Sequence, residues 1–337
     1  MQAEPVRIAV VGCGAAAEIL HLPRLAMRAD CDLVALVDPQ HDRARALAQR
    51  FGVPRIFASH RSLLDEDVDG ALVAVPNHLH AAVSAELLHG GIDVLVEKPM
   101  ARSVEEGRAM LSAAETGDAV LAVGLPLRFS QANRLVKSAI DSDFLGEIES
   151  FSFRSGVAFD WPVTSTYLLD RDTAGGGALI DVGTHVLDLL LWWLGDVSHF
   201  EYFDDSCGGV EAECRLDAVT ESGVSGTVEL SRTRELGQTA VITGDQTELA
   251  VVLVENRLRL RLRGGRTVIS GQAAVDGASA APQSVDDLFE AEHSDFIAAV
   301  ARRSAPAVAG DEALRSLALV EDCYRQRRPL RLPWTIS

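Results

Sequence analysis

Apolar and polar positions change period along this chain. Val6–Val11 is a short β-branched run, which predicts a buried strand. A helical stretch follows to about Arg28, then a second strand over Asp32–Asp38 and a helix over Arg43–Arg50 that ends at Gly52. Gly70–Val75, Ile92–Val96 and Ala119–Val123 predict further strands, with helices over Leu79–His89 and Val104–Glu115 between them. Ser103-Val104-Glu105-Glu106 predicts a capping box at the start of the latter. Strands alternating with helices over the first 124 residues predict an α/β domain with a parallel, doubly wound sheet.

Beyond Gly124 the alternation ends, which divides the chain into domains 1–124 and 125–337. A helix is expected over Gln131–Asp141, a strand over Ile148–Val157, and a loop holding Trp161, Tyr167 and Gly175-Gly176-Gly177. A strongly apolar helix spans about Ala178–Leu194. The following eighty or so residues read as strands. Glu211, Glu213, Arg215 and Asp217 alternate with Ala212, Cys214, Leu216 and Ala218, and Arg257, Arg259 and Arg261 with leucines. Period two puts one face on a core and leaves the other to solvent or to another subunit. A flexible stretch, Gly271–Ser284, precedes two final helices, Asp286–Arg302 and Asp311–Arg327. The second domain is therefore expected to be α+β on a largely antiparallel sheet.

The apolar helix carries Asp181, His185 and Asp188, spaced by four and three. At about 100° per residue they fall on one stripe. A helix otherwise apolar all round is buried, so its ionisable groups must be paired or must line a polar cavity. Catalytic pocket and structural cluster both satisfy that demand. No H-E-x-x-H and no third ligand at a recognised spacing supports a metal.

Gly12-Cys13-Gly14-Ala15-Ala16-Ala17 lies between the first strand and its helix. In such a run the first glycine permits the tight turn, the second admits a pyrophosphate, and the third small residue packs the helix on the strand. Phosphates then meet a helix N-terminus. An acidic residue, Asp38, follows 24 positions after Gly14 at the end of the second strand, where it would bind ribose hydroxyls. Gly12, Gly14, Ala15, Ala16 and Asp38 are thus expected to hold a dinucleotide in a Rossmann domain. The charge of Asp38 favours NAD over NADP, with Arg43 and Arg45 nearby as the counter-signal. Two later segments end strands with proline at the edge where such sheets bind ligands: Pro76-Asn77-His78-Leu79-His80 and Glu97-Lys98-Pro99.

Composition narrows the partners. A formal charge of −18 opposes binding to nucleic acid or an anionic membrane, and is compatible with a cationic substrate or with solubility alone. No apolar run is expected to span a bilayer, and the N-terminus carries no signal-peptide pattern. Five cysteines without a C-x-x-C pair fit a reducing, cytoplasmic setting, each expected as a small buried group. Lysine occurs only at Lys98 and Lys137, which draws attention to Lys98.

The order and spacing of Gly12-Cys13-Gly14 with Asp38, Pro76–His80, Glu97-Lys98-Pro99, Arg128-Phe129 and Gly175–His185 with Asp188 resemble the Gfo/Idh/MocA oxidoreductases over nearly the whole chain. The resemblance implies a Rossmann domain binding a nicotinamide cofactor and a C-terminal domain whose large open sheet supplies the substrate pocket and a homodimer or homotetramer contact. It implies Lys98, Asp181 and His185 as catalytic residues. Pro76, Asn77, His80, Glu97, Lys98 and Arg128 are then expected beside the cofactor, and Lys98, Arg128, Trp161, Tyr167, Asp181 and His185 beside a sugar or cyclitol. Some sugar-ketone reductases of the family carry tyrosine at the His185 position, so histidine there resembles the alcohol-oxidising, inositol-dehydrogenase type. Histidine suits a base that takes a hydroxyl proton. Asp181 would then stabilise the imidazolium or hold a neighbouring hydroxyl, and Lys98 would bond the reacting oxygen, with the Lys98 and His185 roles exchangeable. The expected substrate is a neutral or amino-bearing sugar, an aminoglycoside-type intermediate or a cyclitol. The rival readings are an NDP-sugar ketoreductase or dehydrogenase, an NAD-dependent glycosidase, and a non-catalytic NAD-binding sensor.

Overall fold

The computed structural model describes residues 4–162, 166–262, 267–272 and 283–330. The first sheet consists of β1 (Val6–Val11), β2 (Cys31–Val37), β3 (Arg55–Phe57), β4 (Gly70–Val73), β5 (Asp93–Glu97) and β6 (Leu121–Gly124). Their order is β3-β2-β1-β4-β5-β6, every neighbouring pair parallel. β4 and β6 are buried at every position, as a sheet covered on both faces requires. The strand β3 was not expected; three half-buried residues give too little pattern to read.

Gly12 turns the chain out of β1 at φ +96°, and a Cβ there would sit 2.3 Å from the Ala74 carbonyl oxygen. The helix that follows opens with a π-helical turn, Ala17–His21, runs into α1 (Leu22–Leu25), and stops short of Arg28. The other covering helices are α2 (His41–Phe51), α3 (Asn77–His89) and α4 (Val104–Gly117). At the start of α4, Ser103 accepts from the Glu106 N–H, but the Glu106 carboxylate accepts from Arg102 rather than Ser103, so only half of the expected box forms.

The second sheet has nine strands: β7 (Ile148–Gly156), β8 (Val197–Asp204), β9 (Glu213–Thr220), β10 (Ser225–Ser231), β11 (Gly237–Gly244), β12 (Thr247–Val252), β13 (Arg257–Leu262), β14 (Thr267–Gln272) and β15 (Arg328–Pro329). Their order is β14-β13-β12-β11-β7-β10-β9-β8-β15, antiparallel except where β7 meets β10 and β8 meets β15. One face packs on α5 (Gln131–Asp141) and α7 (Thr184–Leu194), joined by leucines of α7 and by Phe153 stacked on Trp193. The stretch Arg171–Leu194, which contains the short α6 (Arg171–Ala174), passes by length and composition as long and apolar enough to cross a membrane, contrary to expectation. Here 72% of its apolar window is buried inside the protein, as a core helix.

Two charged positions expected on the open face are buried instead: Glu211 and Glu213 are each 1% exposed. Glu211 accepts from the N–H groups of Gly177 (2.9 Å) and Leu179 (2.8 Å) and from the Tyr324 hydroxyl (2.7 Å). It thereby caps a second π-helical turn, Leu179–Gly183, that leads into α7. The glycine run permits this approach, because a Cβ on Gly177 would lie 2.0 Å from the Glu211 carbonyl oxygen. Cys207 is exposed rather than buried, and all five cysteines are free thiols.

The last helices, α8 (Val285–Arg302) and α9 (Gly310–Arg325), return to the first domain. Phe296, Ile297 and Val300 join the core on one face of its sheet, and Val308, Ala313 and Leu317 the core on the other. Of the stretch expected to be flexible, 273–282 lies outside the described residues, while Gly271 belongs to β14 and Ser284 caps α8.

Gly177→Ala forces the Glu211 backbone to move and is expected to cost about 1–3 kcal/mol in urea unfolding, the range for overpacking. A Cβ on Gly14 meets nothing within 4 Å. Gly14→Ala is therefore expected to leave the unfolding free energy within about 0.5 kcal/mol of the parent.

Candidate active site

A cavity of about 270 Å³ opens between the two domains where Lys98, Asp181 and His185 converge. Lys98 follows directly on β5. Asp181 lies within the π-helical turn and His185 on the first turn of α7. Single π-turns inside helices recur at functional sites because they displace a side chain from its regular register. Lys98 Nζ donates to Asp181 Oδ1 (2.5 Å) and to the Asp181 carbonyl oxygen (3.2 Å). Arg232, just beyond β10, donates to the other carboxylate oxygen at 2.6 Å and stacks over Phe159.

Burial of Asp181 by itself would raise its pKa; the Lys98 and Arg232 charges outweigh that and hold the carboxyl well below the usual range. Arg232 was not anticipated. It stands 51 residues from Asp181 in a segment whose only sequence signal is an arginine after a strand.

His185 makes no hydrogen bond to Asp181. Its Nδ1 is buried and, among the described residues, has no partner. Burial first and then Lys98 push its pKa down to about 3, against the opposing pull of Glu97 and Asp181. The imidazole is therefore uncharged at neutral pH. The expected Asp181–imidazolium contact is replaced by the Lys98–Asp181–Arg232 group.

The third member of the stripe, Asp188, leaves the cavity. It is buried against Arg128, which donates to both carboxylate oxygens at 2.8 and 2.7 Å and lies over Trp192. Burial raises the Asp188 pKa while Arg128 opposes the rise. Arg128 is thus held in a buried, bidentate ion pair. The π-helical turn explains the split, because it moves Asp181 off the register that spacing alone implies.

His80 is held by the backbone. Its buried ring faces the carbonyl oxygens of Val75 (2.8 Å) and Pro99 (2.7 Å), fastening the Lys98 loop to the end of β4. Asn77 Nδ2, at the start of α3 beside Pro76, donates to the Ala174 carbonyl and ties the domains together. Glu97 accepts from the Lys98 N–H (3.0 Å) and pairs with His21 (2.8 Å).

Tyr167 stands close enough to the site that burial first, then the Asp181 and Glu97 charges, push its pKa up to about 12. Trp161 is 36% exposed and does not line the cavity. Ser155 and Gln238 add polar groups to a wall that is otherwise largely apolar. Among the described residues, no three His, Cys, Asp or Glu gather to hold a metal ion.

The residues at the end of β1 suit a dinucleotide. Open space surrounds Gly14 where a phosphate would approach, and Ala15 and Ala16 begin the helix. Ala17, fully buried, packs that helix on the sheet. Asp38 accepts from the Cys13 N–H (2.9 Å) and the Gln40 N–H (2.7 Å), with Arg43 at 3.8 Å. Arg43 thus turns toward the motif, whereas Arg45 lies on the outer face beside Asp42 and His41.

A parallel sheet of this order with a glycine-turned first crossover defines a dinucleotide-binding oxidoreductase fold. Residues 6–125 match the family model of an oxidoreductase family with an NAD-binding Rossmann fold, and 133–250 match the Gfo/Idh/MocA C-terminal domain. The chain belongs to the Gfo/Idh/MocA family. It is 37% identical over 190 residues to a putative UDP-kanosamine synthase oxidoreductase subunit of Amycolatopsis mediterranei, covering 56% of this chain and 52% of that protein. It is 31% identical over 196 residues to the D-glucoside 3-dehydrogenase of Escherichia coli, covering 58% and 56%. The chain thus spans about half the length of these relatives. A levoglucosan dehydrogenase solved with NADH and levoglucosan superposes with a TM-score of 0.85 at 23% identity, over 96% of this chain and 97% of that one.

Removing one partner of the Arg128–Asp188 pair leaves a buried charge. Arg128→Met and Asp188→Leu are each expected to cost about 3–5 kcal/mol in urea unfolding, with much of the loss recovered in the double variant. For His185, the folded form refuses a proton that the unfolded chain, with a pKa of about 6.5, accepts. Its contribution to stability is therefore complete above about pH 6.5 and is lost as pH falls toward about 3. His185→Asn is expected to flatten the fall of stability between pH 6.5 and 4, measured by urea unfolding at each pH; an unchanged slope would place the imidazole's neutrality in doubt.

Proposed function

We propose that this protein is an NAD-dependent dehydrogenase that oxidises a secondary hydroxyl of a sugar, amino sugar, aminoglycoside-type intermediate or cyclitol to a ketone. The observation that carries the reading is the convergence of Lys98, Asp181 and His185 on one cavity at the carboxyl edge of the parallel sheet. A nicotinamide held by the Gly12–Asp38 segment would supply the acceptor for the hydride of the carbinol carbon. The chain's own residues manage the proton. His185, uncharged and lining the cavity, takes the hydroxyl proton. A weakly basic imidazole suffices, because a carbinol losing hydride becomes a strongly acidic protonated carbonyl unless its proton leaves.

Lys98, held in place by Asp181, donates to the reacting oxygen and favours charge developing there. Asp181 serves by orienting Lys98, and Arg232 by fixing Asp181. Asp38 supports NAD, since its carboxylate would repel a 2′-phosphate; NADP is the second choice, through Arg43. The size of the cavity supports a single sugar ring within it, with any nucleotide portion left outside. The relatives' names support a sugar substrate, and the putative UDP-kanosamine synthase oxidoreductase subunit favours a nucleotide-linked sugar as the second reading. The charged outer face of the nine-stranded sheet is where we place a dimer or tetramer contact, and the free cysteines support a cytoplasmic location.

The test is NADH formation from NAD⁺ across free sugars, glycosides, amino sugars, cyclitols and UDP-sugars, with the reverse reaction on keto-sugars. Lys98→Met is expected to lower kcat on the accepted class by at least about 10²-fold, within the range of positioned proton-handling groups, while cofactor affinity stays within a few-fold. Equal loss of both would remove Lys98 from the chemical step, and sugar release without cofactor turnover would identify a glycosidase.

A further inference from the structure

Beneath the site lies a group of ionisable side chains that the proposed chemistry does not use. His21 and His293 are each 1% exposed and Glu292 is 2% exposed, while Glu97, next in sequence to the cavity-lining Lys98, keeps slight exposure. His21 Nε2 lies 2.8 Å from Glu97 Oε1, and His21 Nδ1 lies 2.9 Å from His293 Nε2. With Glu97 ionised, one arrangement satisfies both contacts using neutral rings: His21 donates to Glu97, and His293 donates to His21. His293 Nδ1 is then a bare acceptor, and it is indeed buried without a partner. The chain of three therefore starts at a partly exposed carboxylate beside Lys98 and ends blind inside the protein.

Glu292 stands beside this chain with neither oxygen in a hydrogen bond. The groups that face it are the Glu97 and Asp295 carboxylates and the Leu125 N–H, which already donates to Val123. Burial first, and then Glu97, drive its pKa well above the ordinary carboxyl range. Glu97 in turn faces His21, Lys98 and His185, and His293 faces His21, Arg28 and Arg24. Two carboxyl groups that share a buried site cannot both ionise cheaply, so they hold one proton between them. A cation arriving beside Glu97 changes that balance.

We propose that Glu97, Glu292, His21 and His293 form a proton-exchange site coupled to charge in the cleft, which gives up a proton from Glu292 when a cationic nicotinamide binds and regains it when the ring is reduced. No bond other than the carboxyl O–H breaks. The proton passes to solvent, and the electron pair stays on the carboxylate. The inference rests on the nicotinamide-binding part of the proposed function and on no particular sugar.

Calorimetric titration of the full-length protein with NAD⁺ and with NADH, in buffers of differing ionisation heat, counts the protons exchanged. NAD⁺ is expected to release about 0.5–1 proton more than NADH. The difference should vanish in Glu292→Gln. Retention in Glu292→Gln, or no difference in the parent protein, would overturn the proposal. If Glu292→Gln does not fold, infrared difference spectra of the parent protein, unlabelled and ¹³C-glutamate-labelled, decide the matter. Loss of a label-sensitive protonated-carboxyl band with NAD⁺ relative to NADH supports the proposal, and an unchanged band refutes it. Proton release without turnover on any sugar would sink the dehydrogenase reading alone, and failure to bind either cofactor would sink both.

Discussion

The site depends on one carboxylate shared by two cations. Asp181 sits between Lys98, which comes from the edge of the first sheet, and Arg232, which comes from the second. A buried carboxylate costs several kcal/mol unless it is paired, and each domain supplies one partner. The ion triad therefore aligns the domains as well as the reacting groups. Asn77 reaching to Ala174 reinforces the same alignment from α3. Within the cavity, burial and the Lys98 charge together disfavour protonation of His185, against Glu97 and Asp181.

Helix geometry explains why that carboxylate is where it is. The run Gly175–Gly177 lets Glu211 close on the first N–H groups of the helix, and the π-helical turn that follows carries Asp181. A negative charge at a helix start stabilises the dipole, so a residue far from the cavity sets the orientation of one inside it. The same turn separates Asp188 from its apparent partners and leaves it to Arg128.

Much of this was legible in advance, and the physical reasons for the exceptions differ. Long apolar strands and the glycine turn declare themselves because their pattern is local. The joining of Lys98 to Asp181 and His185 could be expected from motif order. Arg128, His80 and Asn77 look available in sequence because their partners, Asp188, two backbone carbonyls and the Ala174 carbonyl, lie far along the chain or on the main chain. Glu211 and Glu213 follow a faultless alternation yet are buried, Glu211 because a helix end closes over it and Glu213 because Ser231, Thr233 and Arg234, at the end of the neighbouring strand and just beyond it, surround its carboxylate. Arg232 has no motif at all, and only the fold gives it a role.

The return of α8 and α9 to the first sheet has a consequence for biosynthesis. Both faces of that sheet are finished by residues between Phe296 and Leu317, which follow its last strand, β6, only after nearly all of the second sheet. Domains usually fold in order as they leave the ribosome. Here the first sheet emerges early but stays unsealed until α8 and α9 have been made, with apolar strand faces open to solvent in the meantime. Its completion is tied to the second domain, so the nascent protein has a long interval in which a holding chaperone has something to bind.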